Sequence, residues 1–151
     1  MQVVLNIGIV VATFFFMEGV AWFTHKYIMH GVLWSWHKSH HTVHPHKLER
    51  NDLFAVVFSI PAAALIVIGD LYAQVWYLFY VGFGISGYGL FYFLFHDIIV
   101  HRRIKLKIPT NHTYLKRIMN AHYHHHTKHS KKGCEAFGFL YAPKRFEKPQ
   151  R

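Results

Sequence analysis

Ten of the fifteen histidines in this chain fall into four short clusters. Two clusters are pairs separated by four residues, and the other two place a double histidine three residues after a single one. A lone histidine is readily explained as a polar residue at a membrane interface, but a repeated spacing is not. Neutral imidazole suits Zn, Cu, Fe and Ni, so the pattern indicates a metal site. The clustered histidines are His25, His30, His37, His40, His41, His96, His101, His122, His125 and His126.

The two kinds of cluster differ in how a helix would orient their side chains. Residues three and four apart share a face of a helix, so His37 can point the same way as His40 and His41, and the last cluster behaves alike. At about 100° per residue, five positions leave about 140° between His25 and His30, which therefore cannot share one stripe of a straight helix. Two interpretations stay open: the two rings bind different metals, or one lies past the helix end.

The number of clustered histidines indicates two metal ions. A structural zinc site needs four ligands and a catalytic one three, whereas ten imidazoles on two ions give five each and leave one octahedral position open. Soluble di-iron bundles use Glu and Glu-x-x-His ligands, but this chain has seven acidic residues. We expect two irons that gather electrons and activate dioxygen. The remaining histidines are expected at the surface or beside the site, and they are His44, His46, His112, His124 and His129.

The charge distribution indicates a membrane protein. The chain is 52% hydrophobic and 18% aromatic, with a formal net charge of +10. Lys and Arg are absent from 1–25 and from 51–101, which matches the positive-inside pattern of membrane proteins. A nucleic-acid-binding protein would share the basic charge but would not need long apolar runs. We therefore expect no nucleic-acid partner.

Three apolar runs are long enough to be transmembrane helices. A run of about 20 residues crosses a hydrocarbon core of roughly 30 Å, and Pro61 predicts a kink in the second run. Gly69-Asp70 predicts the turn that follows it. A later segment that carries the last cluster predicts an amphipathic interfacial helix. The predicted spans are about 3–24, 53–69 and 72–95, and the interfacial helix is about 114–127.

These elements predict a single domain, 1–151, that is an all-α integral membrane protein. It should have three to four transmembrane helices and a histidine-rich helical cap. If the basic segments are cytoplasmic, the parity of three spans brings all four histidine clusters to that one face.

Three carboxylates are candidates for orienting the imidazoles. Glu18 lies seven residues before His25, on nearly the same helical stripe, and an acid at that depth is a candidate functional residue. A helix–helix hydrogen bond is an equally good explanation for it. Asp52 and Asp97 can each hold a ligand or cap a helix. The small residues between 82 and 89 favour close helix packing, with a groove for a bulky apolar ligand as the second interpretation.

The blocks around these clusters resemble the bacterial β-carotene 3-hydroxylases, which belong to the fatty-acid hydroxylase/sterol desaturase superfamily. The resemblance runs from about residue 17 to residue 143. After His101 the chain reads Arg-Arg-Ile-Lys-Leu where the family more often has an aromatic-Pro segment, and His124 is an extra histidine. The blocks that carry it are His25-Lys-Tyr-Ile-Met-His30, Trp36-His-Lys-Ser-His-His41, Asn51-Asp-Leu53, Phe95-His-Asp97, Ala121-His122 and Phe137-Gly-Phe-Leu-Tyr-Ala-Pro143.

The resemblance implies a non-haem di-iron monooxygenase that holds two Fe ions with the ten clustered histidines. It implies hydroxylation of β-carotene at C3 of the β-ionone rings with O2, in the bacterial cytoplasmic (inner) membrane, with the histidines on the cytoplasmic face. Electrons would come from NAD(P)H through ferredoxin or a similar carrier. The chain has no glycine-rich dinucleotide motif, and Cys134 is its single cysteine, so no iron–sulfur ligand set is present. The reductant should therefore be a separate partner.

Two other functions stay open. A relative within the superfamily could act on an acyl chain or a sterol, which product analysis would distinguish. A metal transporter or metal-storage protein would instead line a transmembrane path with histidine, whereas these clusters are expected at one face.

Overall fold

The computed structural model describes residues 1–42, 48–106 and 111–148. In those ranges the regular structure is entirely helical, without a strand, which confirms the prediction of an all-α fold. Short 3₁₀ turns occupy Lys38–His41, Arg50–Asp52, Ala73–Val75 and Lys144–Glu147. The α-helices are α1 (Gln2–Phe23), α2 (Trp34–His37), α3 (Leu53–Leu71), α4 (Tyr77–Tyr92) and α5 (Thr113–His126).

Three continuous helical stretches are long and apolar enough to cross a membrane: Gln2–Val32, Arg50–Leu71 and Tyr77–Val100. Within this layer α4 packs against both α1 and α3. The outward faces carry large apolar side chains, such as Phe16 at 71% exposure and Ile60 at 65%. Such faces suit contact with lipid, because their side chains are apolar and the backbone polar groups of a helix are hydrogen-bonded internally.

Glycines set how closely α4 approaches its neighbours. A Cβ atom on Gly82 would lie 2.6 Å from the side chain of Ile66 on α3, and one on Gly84 would lie 2.5 Å from Thr13 on α1. These two positions therefore serve close helix packing, as small residues do in membrane helices.

The predicted turn at Gly69-Asp70 is wrong, because α3 continues to Leu71. A Cβ atom on Gly69 would collide with the backbone of Phe79 on α4. This glycine allows two helices to touch, and the chain reverses later, through Ala73–Val75. The third helix consequently begins at Tyr77, five residues after the predicted start at 72. Pro61 lies inside α3.

Two of the three long helices change from α-helical to π-helical winding before they end. The changes cover Thr24–Val32 after α1, where the backbone is kinked at Gly31, and Phe93–Val100 after α4. A π-helix closes its hydrogen bonds five residues apart instead of four and often occurs at functional sites. The first segment contains His25 and His30, and the second contains His96 and ends one residue before His101.

The C-terminal part of the chain folds onto the ends of these helices. Its core joins Phe95 and Val100 to Ile118 of α5 and to Phe146 near the C-terminus. The side-chain amide of Asn120 donates to the carbonyl oxygen of Phe146 at 3.0 Å. This packing fixes α5, with its three clustered histidines, beneath the π-helical segments.

Candidate metal centre

The ten clustered histidines form two groups of five, and each group could hold a metal ion because its candidate ligand atoms lie within 4.8 Å of one another. Each group combines residues from three of the four clusters. The first group is His25, His30, His37, His41 and His125. The second group is His40, His96, His101, His122 and His126.

The two π-helical segments explain how the widely spaced pairs come together. The pair His25 and His30 lies within the first group and the pair His96 and His101 within the second. The interpretation that paired rings bind different metals is wrong, since each pair lies within one group. His25 and His30 both lie inside Thr24–Val32, whereas His101 lies one residue past the end of Phe93–Val100. The wider winding turns less per residue, so side chains five apart project from nearly one face.

The tighter clusters are divided between the groups. His37 and His41 join the first group while His40 joins the second, and α5 likewise sends His125 to the first group and its other two clustered rings to the second. The groups are therefore adjacent. The rings of His41 and His126 stack across them with centroids 4.5 Å apart.

Each ring of the first group has its Nδ1 beside an oxygen atom. Phe137 O lies 3.0 Å from Nδ1 of His25, and Asn51 Oδ1 lies 2.7 Å from Nδ1 of His37. Three further oxygens are backbone carbonyls: Lys131 O at 3.3 Å from His30, Lys128 O at 2.9 Å from His41 and Glu135 O at 2.8 Å from His125. Carbonyl oxygens only accept, so every Nδ1 carries the proton and every Nε2 presents a lone pair.

Those lone pairs face one another at short range. The Nε2 atoms of His25 and His37 are 3.1 Å apart, as are those of His30 and His125. Two unprotonated nitrogens cannot hydrogen bond, so a cation between them is what satisfies the arrangement. In the second group, Nε2 of His126 is buried without a hydrogen-bond partner among the described residues. The residues present thus fit bound metal.

The second group is held from outside by carboxylates. Nδ1 of His40 donates to Glu49 at 3.1 Å, and Nδ1 of His96 donates to Asp97 at 3.1 Å. Arg103 contacts Glu49, Asp52 at 2.8 Å and Asp97 at 3.4 Å. Burial lowers the pKa of Arg103, but the three carboxylates more than offset this and raise it above its ordinary value. A carboxylate behind an imidazole fixes its tautomer and orientation.

Burial keeps the rings outside the membrane helices neutral. Together with a smaller effect of neighbouring imidazoles, it lowers the pKa of His37 to about 3 and the pKa of His41 to about 4. The pKa of His125 is lowered to about 2 for the same reasons. At neutral pH these rings carry no charge, so their inner nitrogens are available to a metal.

The three candidate carboxylates occupy different places. Asp97 contacts His96, as described above. Asp52 accepts from the backbone N–H of Glu49 at 2.9 Å and pairs with Arg103, so it belongs to the network behind His40.

Glu18 accepts hydrogen bonds from the backbone N–H groups of Phe139 and Leu140, both at 2.8 Å, and from the hydroxyl of Tyr88 at 2.7 Å. It therefore ties the C-terminal loop to α1 and α4. The ring of Phe139 lies parallel to that of His25, with centroids 5.8 Å apart.

Several functional partners were not predicted from the sequence. Glu49, Asn51 and Arg103 each support the histidine groups through side chains. Glu49 and Asn51 lie in or next to the 3₁₀ turn that precedes α3. Of the three, only Asn51 belongs to a sequence block that carries the family resemblance. The backbone carbonyls have no sequence signal at all, because any residue carries one.

The histidines outside the clusters take no part in either group where the structure describes them. His124 packs its ring against Phe146, with centroids 5.6 Å apart. His112 and His129 are exposed. His44 and His46 lie outside the described residues.

A cavity of about 510 Å³ between α1, α3 and α4 reaches both groups, because His25, His37 and His96 form part of its wall. Its other lining is largely apolar. Ser86 and Gly89 line it as well, so the small-residue face of α4 serves both helix packing and an apolar cavity. Further lining residues are Met17, Phe54, Phe58, Ala62, Ile66, Ile85 and Leu90.

The fold and site define a class: an all-helical protein, consistent with residence in a membrane, with two five-histidine groups beneath an apolar cavity. The chain is 49% identical over 140 residues to a beta-carotene hydroxylase of Pseudescherichia vulneris, covering 93% of this chain and 78% of that protein. It is 44% identical over 139 residues to a beta-carotene hydroxylase of a Paracoccus species, covering 91% and 85%. The chain belongs to the beta-carotene hydroxylase family, which confirms the resemblance noted in the sequence.

A plant relative shows the same similarity at greater distance. The chain is 34% identical over 133 residues to the chloroplastic beta-carotene 3-hydroxylase 2 of Arabidopsis thaliana, covering 87% of this chain and 43% of that protein. No family model matches the chain, and no solved structure does.

Proposed function

We propose that the protein is a membrane-bound, non-haem di-iron monooxygenase that hydroxylates C3 of the β-ionone rings of β-carotene. The products would be β-cryptoxanthin and then zeaxanthin. Family membership supports the carotenoid substrate. The observation that carries the proposal is the apolar cavity walled at one end by His25 and His37 of the first group and His96 of the second.

All ten clustered histidines are the proposed iron ligands, five to each ion. Their neutral rings and inward Nε2 atoms fit a divalent ion, and their outer nitrogens are oriented by carbonyls and carboxylates. The C3–H bond of an ionone ring is unactivated, so acid–base residues alone cannot break it. Bound iron would supply the oxygen activation that this bond requires.

The reaction balances with an external source of electrons. One C–H bond is replaced by C–OH, the second oxygen atom of O2 leaves as water, and two electrons and two protons are consumed. We propose that the electrons come from NAD(P)H through a ferredoxin-type carrier, since the chain has neither a dinucleotide motif nor an iron–sulfur ligand set.

The shape of the cavity suits one end of a long apolar molecule. Along α4 and the π-helical segment that follows it, the lining runs from Ile85 to His96, which is about 16 Å at about 1.5 Å per residue. A carotene is about as long as the hydrocarbon core, roughly 30 Å, so one ring and part of the polyene fit. Ala55, Ser59 and Gly89 line the cavity and are nevertheless exposed. The cavity thus opens between α3 and α4, where a substrate dissolved in the membrane can enter it.

This geometry has a kinetic consequence. Hydroxylation of the second ring requires the product to leave and bind again by its other end. The mono-hydroxylated product should therefore accumulate early in a time course, before the di-hydroxylated one.

We further propose that the protein lies in the bacterial inner membrane with both histidine groups on the cytoplasmic face. The basic residues beyond residue 101 and those between 26 and 50 support this orientation. Protease protection in sealed vesicles measures this orientation. The basic loops should be cleaved in inverted vesicles, which expose the cytoplasmic face, and protected in right-side-out vesicles.

The decisive experiment combines metal analysis with product analysis. The protein is expressed in a β-carotene-producing bacterium and, separately, purified in detergent for iron determination. We expect two irons per chain, and β-cryptoxanthin followed by zeaxanthin in the cells. A His41→Ala variant is the negative control, with His112→Ala as its matched exposed partner. Hydroxylated fatty acids or sterols with unchanged carotene would instead indicate the superfamily alternative, and iron binding without turnover would favour storage or transport.

A further inference from the structure

One exposed loop supports three of the five rings in the first group. The backbone carbonyls of Lys128, Lys131 and Glu135 accept from Nδ1 of His41, His30 and His125. This segment, 127–135, connects α5 to the loop that Glu18 anchors. Its residues from 127 to 133 are all exposed. The same short segment therefore touches the site on one side and the solvent on the other.

The solvent side of the segment is basic. Lys128, Lys131 and Lys132 lie within it together with His129, and no acidic residue occurs between 127 and 133. The carboxylate of Glu135 forms an ion pair with Arg145. A protein surface of this charge attracts acidic partners over several ångströms and accelerates their association.

The second group presents a different outer side. Nδ1 of His40 meets the carboxylate of Glu49, and Nδ1 of His96 meets that of Asp97. Both carboxylates are ion-paired with Arg103. An acidic protein gains less from approaching carboxylates, even paired ones, than from approaching the lysines of 127–135. The solvent-facing side of the first group is thus more favourable to an acidic protein than that of the second group.

We infer that segment 127–135 is the docking surface for an acidic one-electron carrier protein, and that electrons reach the first histidine group through its carbonyl-to-imidazole hydrogen bonds. This rests on the proposed function, which requires two electrons for each O2. Two carriers dock in turn, each is oxidised by one electron, and the metal centre is reduced by two in total. In each of these three rings Nδ1 contacts a loop carbonyl and Nε2 faces the metal site, so a single imidazole bridges the loop and the site.

The test compares two double variants with the same residue types and the same change in charge. His129→Glu with Lys132→Glu alters the proposed surface without touching a carbonyl that contacts the first group. Lys105→Glu with His112→Glu makes the same change at exposed positions elsewhere. The probe is a reduced plant-type [2Fe–2S] ferredoxin, whose binding to the iron-loaded, detergent-purified full chain is measured by calorimetry over a salt series.

We expect the first double variant to raise the Kd for ferredoxin at least about tenfold at low salt and to flatten its salt dependence. The second should stay within about twofold of the unaltered protein. Carbodiimide cross-links from ferredoxin carboxylates should map to Lys128, Lys131 or Lys132. Equal effects of the two variants, or a larger effect of the control, would overturn the proposal.

Iron content and thermal unfolding of both variants show that each remains folded and loaded. Turnover of the unaltered protein with dithionite tests the proposed function separately. No hydroxylation under dithionite would count against the monooxygenase, whereas an unchanged Kd in the first variant counts against the docking surface alone.

Discussion

The backbone N–H of His101 donates to the carbonyl oxygen of His96 across 2.9 Å, five residues earlier in the chain. This i to i+5 bond belongs to the π-helical segment Phe93–Val100. It places two rings in one group of candidate ligands that straight α-helical winding would separate by about 140°. The same change of winding follows α1 and carries His25 and His30 into the other group.

The π-helical winding predicts the outcome of exchanging two neighbouring residues. In the double variant Val100→His with His101→Val, composition is unchanged but the imidazole moves to i+4. In an α-helix this position would share the face of His96, whereas here Val100 packs with Phe95 and Ile118 in the apolar core. We expect the variant to lose half of its iron, measured by elemental analysis.

His101→Ala is the control for that exchange, because it removes the ring without burying a polar one among apolar side chains. Both variants should show the same iron content. Full iron content in the exchanged variant would mean that the winding around His96 is α-helical.

The histidine clusters and the three apolar runs could be predicted from the sequence because both are signalled by residue type and spacing. The division of His37, His40 and His41 between two groups could not, since the 3.6-residue period assumed for every helix does not hold here. Backbone carbonyls that orient the rings, such as Lys128 O, were equally unpredictable. Their position depends on how a loop folds, and not on which residue carries them.

Replacing Arg103 should weaken the second group more than the first. Arg103→Gln leaves Glu49, Asp52 and Asp97 without their shared cation, so they repel one another and hold His40 and His96 less firmly. Changes behind metal ligands commonly cost about 10–100-fold in metal affinity. We expect one of the two irons to be lost to a chelator at least about tenfold faster.

Arg103→Lys should restore part of the affinity, since it keeps the charge but not the planar, multiply bonded geometry of guanidinium. Lys105→Gln is the matched surface control, because Lys105 is exposed two residues further on. Identical chelator kinetics for all three variants would show that Arg103 does not position the second group.

Glu18 should prove structural rather than catalytic in its effect. Glu18→Ala leaves the N–H groups of Phe139 and Leu140 and the hydroxyl of Tyr88 without their acceptor, at about 1–3 kcal/mol for each buried donor. We expect a large drop in unfolding temperature in detergent and faster hydrogen exchange at the two amides. Glu18→Gln keeps an oxygen that can accept two hydrogen bonds, so it should cost only about 1 kcal/mol.

The sequence could indicate that Glu18 is important, because an acid inside an apolar helix is expensive. Its partners could not be predicted, because they lie about 120 residues further along the chain, at Phe139 and Leu140. Nothing in local spacing links α1 to that loop. If Glu18→Ala speeds hydrogen exchange only at the amides of Phe139 and Leu140, the result would support this anchoring. Unchanged protection of those two amides would contradict it.

Filling the cavity should stop carotene from reaching the histidine groups without disturbing the metals. Gly89 lines the cavity, and a Cβ atom placed there meets nothing within 4 Å, so Gly89→Leu puts its branched side chain into the space that a ring or polyene needs. A steric cost of about 1–3 kcal/mol for the substrate corresponds to a loss of roughly 5–150-fold in turnover of β-carotene. Gly19→Leu is the matched control, because Gly19 also has nothing within 4 Å of its Cβ position but is exposed on α1 and absent from the cavity wall. Both variants should keep full iron content, and only Gly89→Leu should lose product, measured as zeaxanthin plus β-cryptoxanthin. Equal turnover in the two variants would place the substrate outside this cavity.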